Sequence, residues 1–139
     1  LDLAGKEVAV QAYGAPNSHL TQAMEKRGAN VREVTLYTWG LAEDVTPVLD
    51  LIDALESGQI DAIAFTSQVQ INNLLAIASQ AGKEESVRNI MANGPLVVAS
   101  VGPVCTKRMI EFGFRVDVEP DHPHMGNLVL AIADLLSAN

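Results

Sequence analysis

A chain of 139 residues with 48% apolar and 19% charged side chains is long enough to bury a core in one folded domain and too apolar to stay disordered. Its formal charge of −8, from 9 basic and 17 acidic residues, leaves no basic stripe for nucleic acid, although helix N-termini and a few Lys or Arg residues can still attract small anions. The longest apolar run, Leu128 to Ala133, stops at Asp134, well short of the ~20 residues a membrane span requires.

No basic segment followed by an apolar stretch opens the chain, so no export signal is expected, and the missing initiator Met points to a processed, trimmed or excised polypeptide. The single cysteine, Cys105, excludes an internal disulfide and a cysteine zinc cluster; this fits a reducing compartment, and cytoplasmic localisation is the default expectation.

In chain order, Lys6 to Tyr13 reads as a buried strand, and Gly14-Ala-Pro-Asn-Ser18 as a turn with capping residues. The spacing of Leu20, Ala23 and Met24 predicts a helix that ends at Lys26-Arg27-Gly28. Val31 to Tyr37 is a second strand. Val45, Val48, Leu49, Ile52 and Leu55 share one helical face closed by Ser57-Gly58. A third strand, Ile60 to Phe65, leads through Thr66-Ser67 into a helix from Val69 to Gln80. A short helix covers Glu84 to Met91, Leu96 to Val101 is a fourth strand, and Val104 to Phe112 a helix ended by Gly113. Val116 to Glu119 is a fifth strand, and Asn127 to Leu136 the last helix. This alternation, with strands too apolar to face water on one side, predicts an α/β fold: a mostly parallel five-stranded sheet with helices on both faces, a flavodoxin-like lobe spanning residues 1–139.

Four loops should then gather at the C-terminal edge of that sheet, where open α/β folds bind ligands: Tyr13 to Ser18, Thr66 to Gln68, Gly102 to Thr106 and His122 to Asn127. Each opens a helix whose first N–H groups lack main-chain partners. Taken singly, Ser, Asn and Gly are ordinary helix punctuation; four such loops on one edge suggest an anion-binding rim.

The order Val8-Ala-Val-Gln-Ala-Tyr-Gly14, then Gly28-Ala-Asn-Val31 with Leu36-Tyr-Thr-Trp39, then Asp61-Ala-Ile-Ala-Phe-Thr-Ser67, then Val101-Gly-Pro-Val104, then Pro123-His-Met-Gly126 resembles the uroporphyrinogen-III synthase family over essentially the whole chain. It resembles only the second half of that enzyme, whose two similar lobes flank the substrate cleft. The resemblance implies a cofactor-free lyase of heme biosynthesis that cyclises hydroxymethylbilane to uroporphyrinogen III with inversion of ring D. It implies substrate contacts at Ser67, Gln68, Gly102, Pro103, Val104, Cys105, Lys107, Gly126 and Asn127. It also implies a catalytic role for Tyr37, whose phenol would assist loss of the hydroxyl. Packing at a strand end is the plainer role for that ring.

Cys105 and Thr106 depart from the family pattern, since many relatives have a small residue where Thr106 stands. Cys105 stands where many relatives have Thr, so a hydroxyl contact is either lost or shifted to Thr106, and Cys105 reads better as a small apolar filler than as a nucleophile. His122-Pro-His124 lacks a third ligand and helical spacing, so no metal site is expected.

A receiver-type signalling domain would need acidic residues after the first strand, and Val10-Gln-Ala-Tyr-Gly14 offers none. A non-catalytic α/β binding or assembly lobe stays open, because one lobe supplies only half of a cleft. Because the family chain crosses between lobes, Leu36 to Glu43 is expected to act as a hinge. A half chain would either close its Lys6 to Tyr37 βαβ unit onto its own sheet or exchange that unit with a second copy in a homodimer, and the missing first-half lobe is the other expected partner.

Overall fold

The computed structural model describes residues 2–12, 14, 16–36 and 40–138, and the chain divides into two compact units, Leu1–Leu41 and Ala42–Asn139. The first unit is a βαβ motif. Strand β1 (Glu7–Ala12) lies parallel to β2 (Asn30–Thr35), with Glu7 opposite Asn30 and Ala12 opposite Thr35. Helix α1 (Ser18–Glu25) connects them and starts where Asn17 accepts the Leu20 N–H at 3.2 Å. It ends as expected at Lys26, and the Arg27 guanidinium donates to the Ala23 carbonyl at 2.8 Å, satisfying one last-turn acceptor. Gly28 holds φ +87° with its Cα side against Ala4, where an added Cβ would lie 2.8 Å from the Ala4 Cα.

In the second unit, α2 (Thr46–Glu56) precedes β3 (Ala62–Phe65), then α3 (Gln68–Gln80), α4 (Glu84–Asn93), β4 (Val97–Ser100), α5 (Pro103–Glu111) and α6 (Met125–Ser137). Strands β3 and β4 are parallel, Ala62 opposite Val97 and Phe65 opposite Ser100. Helices α2 to α5 pack one face around Ile52, Ile71, Val87, Met91, Val98 and Met109, all fully buried. There Phe65 and Phe114 meet at 6.0 Å between ring centroids. Helix α6 covers Val97, Ala99 and Val118 on the opposite face with Leu128.

The α/β alternation and the parallel pairing match the expectation; the five-stranded sheet does not. The described strands form two sheets of two strands each, and the expected fifth strand contributes a single bridge, Ala99 to Val118. The local cause is visible. The Asp117 carboxylate accepts the Val98 N–H at 2.7 Å, occupying a donor a neighbouring main-chain carbonyl would otherwise use, and Pro120 has no N–H to extend the ladder. The expected burial of the first strand also fails: Glu7, Ala9 and Gln11 are exposed, so β1 alternates, whereas β4 is buried along its whole length. Among the described residues no helix is long and apolar enough to cross a membrane.

Candidate functional site

Three of the four expected loops meet in the second unit, at the C-terminal ends of β3 and β4. The Val101 N–H donates to the Phe65 carbonyl at 3.0 Å, and the Cys105 thiol reaches the same oxygen at 3.5 Å, so the loops after β3 and β4 are in direct contact. Pro123 closes on Gly102 so tightly that a Cβ there would lie 2.7 Å from the Pro123 Cβ, which joins the loop before α6 to the loop before α5. The fourth loop belongs to the first unit, where Tyr13 and Ala15 lie outside the described residues. Tyr37 and Trp39 also lie outside them.

Each helix start is built locally. Ser67 caps α3 by accepting the Val69 N–H at 3.2 Å, and the Gln70 side-chain oxygen reaches back to the Thr66 N–H at 2.8 Å, a variant of the reciprocal capping box. The Gln68 N–H, in the first turn, has no main-chain partner within the helix. Before α5, the buried Ser100 hydroxyl accepts the Gly102 N–H at 3.3 Å and donates to the Gly102 carbonyl at 3.0 Å, setting a tight turn. The first main-chain bond of α5 runs from the Thr106 N–H to the Gly102 carbonyl, so Val104 and Cys105 keep their N–H groups unused; Pro103 has none. Helix α6 opens with His124 as its cap residue, and its first bond runs from the Leu128 N–H to the His124 carbonyl at 3.0 Å. Met125, Gly126 and Asn127 therefore carry first-turn amides, and Gly126 lies inside the first turn rather than before it. The Asn127 amide donates to the His122 carbonyl at 3.2 Å, fixing the preceding loop.

The expected contact residues thus differ in what they present. Gln68, Pro103, Val104, Lys107 and Gly126 are exposed, Val104 at 66%, while Ser67 and Asn127 are half-buried. Gly102 is buried, and so is the Cys105 side chain, at 4% exposure; burial pushes its thiol above the ordinary cysteine range. Only the main chain of Cys105 can face a ligand. Lys107 has no ion-pair partner among the described residues, so its ammonium is free to meet an anion. The Thr106 hydroxyl, by contrast, is held by the Glu119 carboxylate. Among the described residues no three His, Cys, Asp or Glu side chains are placed to hold a metal ion, and His122 and His124 are both exposed.

Glu119 and Gln70 were not among the sequence-derived candidates, and Pro123 entered only as a member of the His122 to Asn127 loop. Gln70 carries a local signal, the Ser67-to-Gln70 spacing of a capping box. Glu119 carries none, because it reaches the rim only through its contact with Thr106, thirteen positions away.

An edge of this kind, with three helix N-termini and one unpaired ammonium, suits a ligand bearing several carboxylates. The family model of uroporphyrinogen-III synthase HemD matches residues 2–129. The chain is 31% identical over 135 residues to a provisionally named uroporphyrinogen-III synthase of Methanothermobacter thermautotrophicus, covering 96% of this chain and 51% of the relative. It is 32% identical over 114 residues to the uroporphyrinogen-III synthase of Synechococcus elongatus, covering 81% and 41%. The crystal structure of a mutant uroporphyrinogen III synthase from Thermus thermophilus superposes with a TM-score of 0.68 at 24% identity, covering 100% of this chain and 53% of that one. The wild-type form gives 0.65 at 26% identity, covering 97% and 51%. The chain spans about half the length of these relatives. With a family match over nearly its whole length, this chain belongs to the uroporphyrinogen-III synthase family.

Proposed function

We propose that the chain serves as the second half of a uroporphyrinogen-III synthase, cyclising hydroxymethylbilane to uroporphyrinogen III with inversion of ring D. The observation that carries this reading is the convergence of the α3, α5 and α6 N-termini on one edge, through the Phe65 carbonyl and the Gly102–Pro123 contact. Hydroxymethylbilane is a flexible chain of four pyrroles with acetate and propionate arms. The free amides of Gln68, Val104, Cys105, Gly126 and Asn127, with Ser67, the Gly102-Pro103 turn and the Lys107 ammonium, would hold those arms.

The chemistry asks for little more than geometry. Departure of the hydroxyl as water leaves an electrophilic azafulvene, the substituted carbon of ring D attacks it to form a spiro intermediate, and that intermediate fragments and recloses with the ring inverted. Uncatalysed closure joins the wrong carbon. Holding the folded conformer can supply roughly 7–11 kcal/mol of the barrier in favourable cases. In this reading Tyr37 donates a hydrogen bond to the departing oxygen, since a phenol with an ordinary pKa of about 10 stays protonated at neutral pH. Replacing it by Phe should slow turnover on the order of 10²-fold with no loss of stability; an unchanged rate would leave the ring a packing role.

Because half a cleft encloses little of so large a ligand, turnover is expected when the missing first-half lobe is supplied. The test is to feed enzymatically generated hydroxymethylbilane to the chain, alone and with a first-half lobe, and to separate the type I and type III isomers. Type III excess in the mixture supports the reading. Type I alone, together with no thermal stabilisation by uroporphyrinogen, overturns it.

A further inference from the structure

Glu119 is a carboxylate held among groups that attract carboxylates. Contacts inside residues 42–139 alone fix its main chain: Val118, just before it, bridges Ala99 and accepts the Ser100 N–H at 2.8 Å, and Pro120, just after it, is buried. Between these two buried residues Glu119 is exposed, and its side chain reaches the start of α5, where it accepts the Thr106 hydroxyl. Thr106 is itself anchored, its N–H donating to the Gly102 carbonyl at 3.0 Å. Burial above all, and the Glu119 charge as a smaller cause, raise the Cys105 thiol pKa, so the carboxylate stands close to Cys105 as well.

No cation answers this charge. Among the described residues the ion pairs join Lys83 to Asp53 and Glu56, Arg88 to Glu84, Arg108 to Glu111 and Arg115 to Asp117; Lys107, one position past Thr106, pairs with none of them. Glu119 therefore sets a carboxylate beside the unused N–H groups of Val104 and Cys105, which are proposed above to take acetate and propionate arms. For a ligand that offers carboxylates alone, that neighbour is a loss, because like charges repel at short range. It becomes a gain for a ligand that also brings donors, since an ionised carboxylate accepts hydrogen bonds and gives none. A pyrrole N–H, like the indole N–H of tryptophan, donates and cannot accept. A tetrapyrrole acid thus needs amide donors for its arms and an acceptor for its rings, and the start of α5 presents both within one turn.

We infer that Glu119 is a specificity residue of the rim: its carboxylate, positioned by the Thr106 hydroxyl, accepts the N–H groups of the substrate's pyrrole rings and so selects a polypyrrole acid over other polyanions. The inference rests on the reaction proposed above and adds a residue to it.

The test is calorimetric titration of the full chain with two probes: uroporphyrinogen III, which carries carboxylates and pyrrole N–H groups, and benzene hexacarboxylate, which carries carboxylates only. Glu119→Ala should weaken uroporphyrinogen binding about tenfold and strengthen benzene hexacarboxylate binding roughly two- to fivefold, by removing an acceptor from one and a repulsion from the other. Glu119→Gln keeps an acceptor oxygen and the Thr106 contact, so it should recover part of the uroporphyrinogen loss while retaining the benzene hexacarboxylate gain. It carries the same test if alanine disturbs folding, with the melting temperature of the unliganded protein as the check. A loosened α5 would weaken both probes, and a merely repulsive carboxylate would strengthen both when removed. Either result, or no change in either probe, overturns the inference and leaves the proposed reaction standing. Wild-type chain that binds neither probe removes the rim itself, and the inference falls with it.

Discussion

Residues 42–139 and residues 1–41 share the alternation of strand and helix yet bury very different amounts of side chain. In the first of these regions Ile52, Ile71, Val87, Met91, Val98 and Met109 have no exposed surface, and β4 is buried from Val97 to Ser100. In the other, α1 has no buried residue, and much of its link to the sheet is polar: the Glu33 carboxylate accepts the Asn17 N–H at 2.8 Å and lies 3.5 Å from the Thr21 hydroxyl. Alternation specifies which elements form, but the apolar surface those elements can cover decides whether they persist unaided.

The most severe way to sharpen this contrast is to cut one side chain from each region. Met109→Ala, at a fully buried position, should cost about 2–5 kcal/mol in chemical denaturation. Val10→Ala removes the equivalent of two methylenes from a shallow site and should cost roughly 1–2 kcal/mol. Hydrogen exchange should show the amides of β1 and β2 opening at lower free energy than those of β4. Equal protection in both would break the comparison.

Gly102→Ala should follow in size, at about 1–3 kcal/mol, because the new methyl would sit on the Pro123 ring and force the two loops apart. The same variant should lose stabilisation by uroporphyrinogen, measured as a shift in melting temperature. Removing one cap from each region is gentler still: Asn17→Ala and Ser67→Ala should each cost roughly 0.5–2 kcal/mol. They part at the ligand, since only Ser67 lies on the proposed rim, and an equal effect of both on uroporphyrinogen binding would remove Ser67 from it.

The smallest effect belongs to the clamp between α2 and α4, where the Lys83 ammonium meets Asp53 at 2.5 Å and Glu56 at 2.6 Å. Hydrogen bonds to Asp53 and then Glu56 raise the Lys83 pKa, and the bond from Lys83 lowers that of Glu56. The lysine's contribution is therefore complete below its unfolded value and lost as pH rises through the raised folded value. That of the glutamate is present above its unfolded value and lost as pH falls through the lowered folded one. Lys83→Met should thus show a small loss of thermal stability at neutral pH that shrinks in acid and at high salt, because the groups are solvated.

Helix positions were legible because their signals are local. Asn17 and Ser67 do cap α1 and α3, and Gly82 and Gly113, at φ +70° and +80°, stand just past α3 and α5 where a left-handed residue ends a helix. The loops after β3 and β4 were legible for the same reason, since a strand that passes straight into a helix must leave first-turn amides at its end. The roles of the rim side chains were less so. Cys105 reads as a small apolar filler in sequence and is buried, but its thiol's approach to the Phe65 carbonyl, forty positions away, is set only by the fold.

The amino-acid order by itself determined the kind of elements, their succession, most of their ends and the family, because periodicity, caps and turn residues act within a few positions of the chain. Tertiary structure alone decided the rest. It divided the strands into two sheets, reduced Val116 to Glu119 to one bridge when Asp117 took a ladder donor, seated Pro123 on Gly102 and tied Thr106 to Glu119. Each of these depends on a contact made across the fold, where side-chain volume and hydrogen-bond competition set the outcome and local propensity has no hold.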